Sequence, residues 1–333
     1  MAIHSQNSES FVLVREKSYP FRHPGIVRCV SVRSETLPSD EGNLEYEEGK
    51  DYLVDYRQGT IRRTPGSRIP DWSHHVFYGQ TGFDHTKYET FSNRPFTVWI
   101  DYEYEASEVE RADLPAASST RPLEMAMRRL ADKLPVRYVV FGDSISAGGE
   151  ASREAFAFYR LLEERMAQLF PDAEIEVVNA SIPGEISPQG LERLERDVIA
   201  LKPDLVTIGY GMNDQCRDES VRNAVPPEQF ERTVAEMVTK IRQRTDAEIV
   251  LITPCVSNPL WVHSSGDLQA YADVLRRIGM RQGVCVADVH SLWLLELQAG
   301  KTHESLLLNN INHPNDYGHR VYYEAFLPLI GHI

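Results

Sequence analysis

The feature that most constrains the fold is a regular alternation of short apolar runs with helical segments after about residue 135. The runs are short and apolar throughout, as is typical of strands that are buried on both faces. One intervening segment, residues 228–242, carries a single apolar stripe and predicts an amphipathic helix. Strand–helix alternation predicts a parallel sheet covered by helices on both sides. The predicted strands are residues 138–141, 175–178, 205–208, 249–252 and 284–287.

The chain before this region has the pattern of β structure. Residues 96–105 alternate apolar and mostly polar side chains, residues 26–32 are rich in β-branched side chains, and two short runs at 52–56 and 59–62 flank a turn and predict a hairpin. We therefore predict a small antiparallel β-sandwich, jelly-roll-like in kind. The predicted organisation is this domain over residues 1–110, a linker and lead-in helix over 111–134, and the α/β domain over 135–333.

Charge and composition exclude several classes of partner. The net charge of −14 disfavours nucleic acid and anionic membrane surfaces, both of which require clustered Lys and Arg. The first residues are polar and lack the apolar core of a signal peptide, and no apolar run reaches the ~18 residues of a membrane span. These features predict a soluble, cytoplasmic protein. The four cysteines are scattered without a C-x-x-C pair, which predicts reduced thiols and neither disulfides nor a zinc site.

Four polar motifs fall where the predicted sheet presents the carboxyl ends of its strands, the edge at which such folds bind ligands. Ser144 directly follows the first strand, so its hydroxyl is expected in the crevice. Gly184 follows the second strand, and a glycine lets a backbone N–H approach a substrate closely. Asn213 follows the third strand, and its amide can donate to a developing oxyanion. His313 precedes a proline and therefore lies in a loop.

Each motif also has an ordinary structural explanation. Ser144 could be a helix cap. Gly184 and Asn213 could be turn residues, and His313 a surface histidine in a loop. His319, on the predicted final helix, is interpreted as a packing residue. The order of the four motifs and their shared edge favour function over these separate explanations.

In this order, the motifs resemble the sequence blocks of the GDSL-like esterases, also called SGNH hydrolases, over residues 135–333. The resemblance implies a flavodoxin-like three-layer α/β/α fold and ester hydrolysis without metal or cofactor. It also implies Ser144 as nucleophile, His313 as general base, and an oxyanion hole made by the N–H groups of Ser144 and Gly184 and the amide of Asn213. The matching blocks are Gly142-Asp143-Ser144, Gly184, Gly211-Met212-Asn213-Asp214 and His313-Pro314.

The chain departs from the family at one position. The family usually has an aspartate three residues before the catalytic histidine, where this chain has Asn310. Three explanations remain open. Asn310 accepts a hydrogen bond from the His313 ring, a carboxylate such as Asp316 or Asp288 replaces the aspartate, or the enzyme works as a Ser–His dyad helped by a backbone carbonyl.

The base role of His313 predicts a pH dependence. Activity should rise as His313 loses its proton, through a reference pKa of roughly 6.5 that its surroundings can shift. On this expectation, a rate that is flat between pH 5 and 8 would count against His313.

The residues around Asn213 and His313 are most similar to those of bacterial acetylesterases. The predicted substrate is therefore a small-molecule or carbohydrate ester of a short acyl group, with acetyl on a sugar as the first candidate. Aromatic side chains of the first domain could stack on sugar rings, although such residues more often form the core, and that domain could instead form a cleft wall or an oligomer interface. A homo-oligomer is left open. These aromatic residues are Trp72, Tyr78, Phe83 and Trp99.

Two other functions remain as alternatives. The same residues would serve an acyltransferase, or a non-catalytic binding protein on a degenerate hydrolase scaffold, for which Asn310 is the only support. A metal enzyme built from histidines and an aspartate of the last segment lacks ligand-like spacing. The residues of that metal hypothesis are His303, His313, Asp316 and His319.

Overall fold

The computed structural model describes residues 2–105, 122–217 and 220–330. Its N-terminal part forms two three-stranded antiparallel sheets, with strand orders β1-β6-β3 and β2-β5-β4. The antiparallel prediction and the predicted hairpin, whose strands are β4 and β5, are confirmed. The strands are Ile3–Val12 (β1), Tyr19–Pro20 (β2), Ile26–Arg33 (β3), Tyr52–Asp55 (β4), Thr60–Arg63 (β5) and Thr97–Glu105 (β6).

The C-terminal part contains a five-stranded sheet in the order β11-β10-β9-β7-β8, and the register of every neighbouring pair is parallel. Numbered along the chain, this is the flavodoxin-like order 2-1-3-4-5. All five predicted runs are strands of this sheet, so the parallel-sheet prediction is confirmed. The strands are Val136–Gly142 (β7), Ile175–Asn179 (β8), Leu205–Gly209 (β9), Glu248–Ile252 (β10) and Cys285–Ala287 (β11).

Helices cover both faces of the parallel sheet because successive residues of β7 point to opposite sides. Val139 and Phe141 join the core formed with α3, α4 and α5, whereas Tyr138 and Val140 join the core formed with α2, α6 and α8. The helices are Glu124–Ala131 (α1), Phe158–Leu169 (α2), Ser187–Asp197 (α3), Pro227–Arg244 (α4), Leu268–Gln282 (α5), Val289–Gln298 (α6), His303–Leu306 (α7), Asp316–Glu324 (α8) and Leu327–Ile330 (α9).

The two parts share buried surface. Strand β6 places Val98 and Ile100 in the core of the N-terminal part, while Trp99 belongs to the core of the α/β part. The ammonium group of Lys301 is buried and forms an ion pair with the buried Glu9 carboxylate, and it also donates to the carbonyl of Ser10 at 2.8 Å. The N-terminal sheet is therefore seated directly on the α/β part.

The domain limits proposed from the sequence remain proposals. Residues 106–121, which hold most of the predicted linker, lie outside the described residues. The predicted lead-in helix corresponds in position to α1, Glu124–Ala131. None of the four cysteines, each of which the structure describes, forms a disulfide, and their reduced state stays a prediction. In the part of the chain that the structure describes, no helix has both the length and the apolar character to cross a bilayer.

Candidate active site

The carboxyl ends of the parallel strands form one edge of the sheet. At this edge the predicted motifs of Ser144, Gly184 and Asn213 follow β7, β8 and β9. At the end of β7, Gly142 is needed for close approach, since a Cβ at this position would lie 2.3 Å from the carbonyl oxygen of Gly209 on β9. The side chain of Asn179, the last residue of β8, donates to the Ser146 carbonyl at 3.0 Å. The loops after these strands are thus held against one another.

The structure brings Ser144 and His313 into contact. The Ser144 Oγ atom lies 2.7 Å from His313 Nε2, within hydrogen-bond distance. Ser144 lies two residues after the end of β7 and is 8% exposed. The His313 loop is fixed from within by the Asn309 side chain, whose Oδ1 accepts from the N–H groups of Ile311, Asn312 and His313 at 2.9–3.0 Å. A serine and a histidine far apart in the sequence are therefore paired at the predicted edge.

The backbone beside Ser144 offers hydrogen-bond donors. Among the described residues, neither the N–H of Ser144 nor that of Gly184 has an acceptor within the protein. Gly184 has a φ of +78° and is exposed, so a glycine is favoured there and nothing crowds its N–H. Asn213 uses its Nδ2 in one bond, to the Glu185 carbonyl at 3.0 Å, and an amide nitrogen carries a second hydrogen.

Buried polar side chains stabilise the turn that contains Gly184. Glu185 is buried and pairs with Arg193 on α3, and it also accepts from the Tyr210 hydroxyl at 2.5 Å. Asp214 accepts from the N–H of Ser187 at 3.0 Å, which ties the turn to the end of β9. Glu185 and Arg193 were not predicted from the sequence, since Glu185 lies in the turn before α3 and a pair between a turn and a helix leaves no periodic signal.

Asn310 lies near the site, but its side chain does not hydrogen-bond the His313 ring. It is fully buried with a φ of +60°, and its Oδ1 accepts from Asn258 Nδ2 at 3.2 Å. Asp316 accepts from Ser152, and Asp288 pairs with Arg276. Within the described residues, none of these three candidates hydrogen-bonds the His313 ring. Asn258, at the loop after β10, is a residue that the sequence analysis missed.

The other histidines do not form the metal set considered from the sequence. His319 is fully buried in α8, as its predicted packing role requires, and its Nε2 lies 3.1 Å from the Gly149 carbonyl oxygen. A different group, Asp84, His85 and His263, has ligand atoms within 4.8 Å of one another. Trp261 donates to Nδ1 of His85 at 3.0 Å, however, which leaves the proton of a neutral ring on Nε2 and disfavours a metal there.

Most of the aromatic side chains proposed for sugar stacking are unavailable for it. Trp72, Phe83 and Trp99 are between 2% and 8% exposed. Trp72 donates to the Asn93 side chain, Phe83 stacks on Phe77, and Trp99 packs in the α/β core. For these three residues the stacking hypothesis is wrong, and they have the core role that aromatics of β domains usually have.

Burial changes the titration of the site. It lowers the pKa of His313 to about 4, with a smaller contribution from the neighbouring His319. It raises the pKa of Asp143, which precedes Ser144, to about 7. The His313 ring is therefore neutral at physiological pH, and the pH range in which activity should rise is lower than the reference pKa suggested.

We expect kcat/KM for an ester to rise as pH increases through about 4 to 5 and to be nearly flat from pH 6 to 8. The active form is the neutral imidazole, so a lowered pKa moves the loss of activity to more acidic solution. A pH–rate profile of p-nitrophenyl acetate hydrolysis measures this. An inflection near pH 7 that disappears in Asp143→Asn would belong to Asp143. An inflection at or above pH 6.5 in that variant would contradict the assignment to His313.

The strand order and the helices on both faces define a flavodoxin-like three-layer α/β/α fold, with the polar motifs at the carboxyl edge of its sheet. A profile of the GDSL-like Lipase/Acylhydrolase family matches residues 140–321, more than half of the 333 residues. The chain belongs to this family, so the resemblance seen in the sequence is confirmed.

Several known proteins are similar to this chain over part of its length. An acetylxylan esterase of Geobacillus stearothermophilus is 26% identical over 212 residues, which cover 59% of this chain and 94% of that protein. An arylesterase of Vibrio mimicus is 30% identical over 35% of this chain, and esterase TesA of Pseudomonas aeruginosa is 36% identical over 34%. The matches span about half of these last two proteins, 53% and 52% of their lengths.

Solved structures show the same fold. An α/β hydrolase from the metagenome of Lake Arreo, Spain, is 27% identical with a TM-score of 0.50, covering 59% of this chain and 95% of that one. A mutant of an acetyl-xylooligosaccharide esterase of Geobacillus stearothermophilus is 25% identical with a TM-score of 0.51, covering 60% of this chain and 97% of that one.

Proposed function

We propose that this protein is a serine esterase that hydrolyses short-chain acyl esters, with Ser144 as nucleophile and His313 as general base. The observation that carries the proposal is the 2.7 Å contact between Ser144 Oγ and His313 Nε2 at the edge of the sheet. The backbone N–H groups beside it supply the second requirement of acyl transfer, since they have no acceptor within the described part of the protein.

The reaction would proceed in two halves. His313 Nε2 takes the Ser144 proton as Oγ forms a bond to the ester carbonyl carbon, and the carbonyl oxygen becomes an oxyanion. The N–H groups of Ser144 and Gly184 and the Asn213 amide would donate to that oxygen. When the C–O bond of the ester breaks, His313 returns the proton to the leaving alcohol. Water, deprotonated by His313, then attacks the acyl-serine, and His313 returns that proton to Ser144 Oγ as the bond to the acyl group breaks and the acid is released.

We infer that the pair works as a dyad, without a side chain of the kind that usually orients the histidine. Asn310 bonds with Asn258, and Asp316 and Asp288 have partners of their own. Burial of the His313 ring disfavours the imidazolium, which would make the proton transfer from Ser144 less favourable and the return of the proton to the leaving group more favourable. This balance suits esters, whose alkoxide leaving groups are less basic than the nitrogen leaving groups of amides.

Asn310→Asp is expected to change kcat for ester hydrolysis by less than about threefold, because the side chain does not bond to His313. The variant should instead lose about 1–3 kcal/mol of unfolding free energy, since it buries a carboxylate oxygen without a donor. Urea unfolding and steady-state kinetics measure the two effects. A tenfold gain in kcat would show that a carboxylate at this position orients the histidine after all.

The acyl group is proposed to be acetyl, on a small molecule or a carbohydrate. The support is the similarity to an acetylxylan esterase that matches over 94% of its length. Similarity to an arylesterase and to esterase TesA leaves the alcohol part of the ester open.

The experiment is a series of p-nitrophenyl esters from acetate to decanoate, with acetylated xylo-oligosaccharide as a second substrate. We expect kcat/KM to be highest for acetate and to fall by at least about tenfold by octanoate, since each added CH₂ must find a place in the site. A maximum at octanoate or longer would contradict the short-acyl assignment. If product forms only when an acceptor alcohol is added, the protein is an acyltransferase and not a hydrolase.

A further inference from the structure

Asn93, in the loop before β6, connects the N-terminal part to the segment that leads into the His313 loop. Its side chain is fully buried, and its Nδ2 donates to the carbonyls of Glu304 at 3.1 Å and Leu307 at 2.9 Å. Its Oδ1 accepts from Trp72 Nε1 at 2.8 Å. Its backbone N–H donates to the Leu308 carbonyl at 2.7 Å. Both donors and the acceptor of the amide are therefore used in one orientation.

The segment that Asn93 holds is itself paired with His313. The Leu308 N–H donates to the His313 carbonyl at 2.9 Å, and Leu307 forms a β-bridge with Pro314. Two consecutive backbone hydrogen bonds, Asn93 to Leu308 and Leu308 to His313, thus lead from the N-terminal part to the residue whose ring contacts Ser144. A displacement of residues 304–308 would displace the His313 backbone with them.

We propose that Asn93 is a positioning residue that keeps His313 Nε2 within hydrogen-bond distance of Ser144 Oγ. The N-terminal part is then a component of the catalytic apparatus. The proposal rests on the proposed function. Its physical basis is that proton transfer requires Ser144 Oγ and His313 Nε2 to stay within hydrogen-bond distance, and a misplacement of ~1 Å can cost ~10²-fold in rate.

The test is Asn93→Asp, which preserves the shape of the side chain. It keeps an oxygen for Trp72 but turns a second oxygen toward the carbonyls of Glu304 and Leu307, where two donated bonds become repulsive contacts. The matched control is Asn43→Asp, because the Asn43 side chain, among the residues that the structure describes, bonds within its own loop, to Glu35 and Pro38.

For Asn93→Asp we expect kcat for p-nitrophenyl acetate to fall about 10- to 100-fold while KM changes less than about threefold. The reaction rate of Ser144 with a fluorophosphonate should fall in parallel. Hydrogen–deuterium exchange of peptides that cover residues 304–314 should become faster. Asn43→Asp should leave all three unchanged. If Asn93→Asp does not fold, Trp72→Phe removes the bond that orients the Asn93 amide and should show the same changes to a smaller degree.

A folded Asn93 variant with a lower melting temperature but with unchanged kcat and unchanged exchange at 304–314 would overturn the proposal, since that is the result for a merely structural residue. Failure of the proposed function is a separate result. If the unaltered protein hydrolyses no ester and does not react with the fluorophosphonate, the esterase assignment fails. The positioning role is then decided by the exchange of residues 304–314 in Asn93→Asp against Asn43→Asp.

Discussion

Ser144→Ala is expected to lower kcat/KM for p-nitrophenyl acetate by at least about 10⁴-fold, to the level of the residual catalysis that binding and oxyanion donors provide. The reason is that no acyl-enzyme can form without the Oγ atom that lies 2.7 Å from His313. The measurement is steady-state hydrolysis, together with mass spectrometry of the protein quenched during turnover. An acetyl group should be found on the peptide that contains Ser144 in the unaltered protein alone.

Ser181→Ala is the matched control for this substitution. Ser181 lies at the same edge of the sheet, after β8, and its hydroxyl donates to the Val140 carbonyl at 3.3 Å. Its removal should leave kcat/KM within about threefold, as expected for one weak, partly exposed hydrogen bond. Equal turnover by the unaltered protein and Ser144→Ala would show that another group is the nucleophile.

His313→Gln is the second change with a large expected effect, a loss of about 10²–10⁴ in kcat, which is the usual contribution of a general base. Glutamine is similar in size and can still bond to Ser144, but it cannot accept a proton. Acylation and deacylation should both slow, so the first release of p-nitrophenol and the steady-state release should both be slower than in the unaltered protein. Stopped-flow absorbance and steady-state rates measure the effect.

His263→Gln provides the comparison for His313→Gln. His263 is half-buried, and its Nε2 lies 3.2 Å from Asp84 Oδ1, in a cluster that contains neither Ser144 nor His313. Its variant should keep kcat within a few-fold. A His313→Gln protein that retained a tenth or more of the normal rate would remove His313 from the mechanism.

Much of the C-terminal fold was predictable because its strands are buried on both faces and therefore apolar throughout. Each of the five predicted runs corresponds to a strand of the parallel sheet, with boundaries that agree to within two residues. Two strands were missed, the two-residue β2 and the longer β1, and β1 is instructive. Its first half is partly exposed and rich in Ser, Gln and Asn, and only residues 9–12 are all buried. Strand β1 is stabilised by pairing with β6, which lies some ninety residues away in the sequence. The local sequence pattern does not indicate such a long-range contact.

In the candidate site, too, some residues were predictable from the local sequence and others depend on long-range contacts. The placement of Ser144, Gly184, Asn213 and His313 was predictable, because each of the first three lies within five residues after a strand and His313 precedes a proline. The groups that hold these residues were not, since Asn93 and Asn258 bond to backbone carbonyls or amides far along the chain. A polar residue in a loop has many possible partners, and the sequence does not say which one the fold brings close.

The seating of β1 on the last third of the molecule has a consequence for folding during synthesis. Ser10 bonds to the Ser305 carbonyl, and Lys301 bonds to the Ser10 carbonyl across 291 positions. A chain that leaves the ribosome at about 5–20 residues per second therefore carries its first strand for about 15–60 seconds before these partners exist. During that interval the buried groups of β1 lack part of their final surroundings. We expect the nascent protein to depend on chaperones that shield exposed strand edges until the last helices emerge.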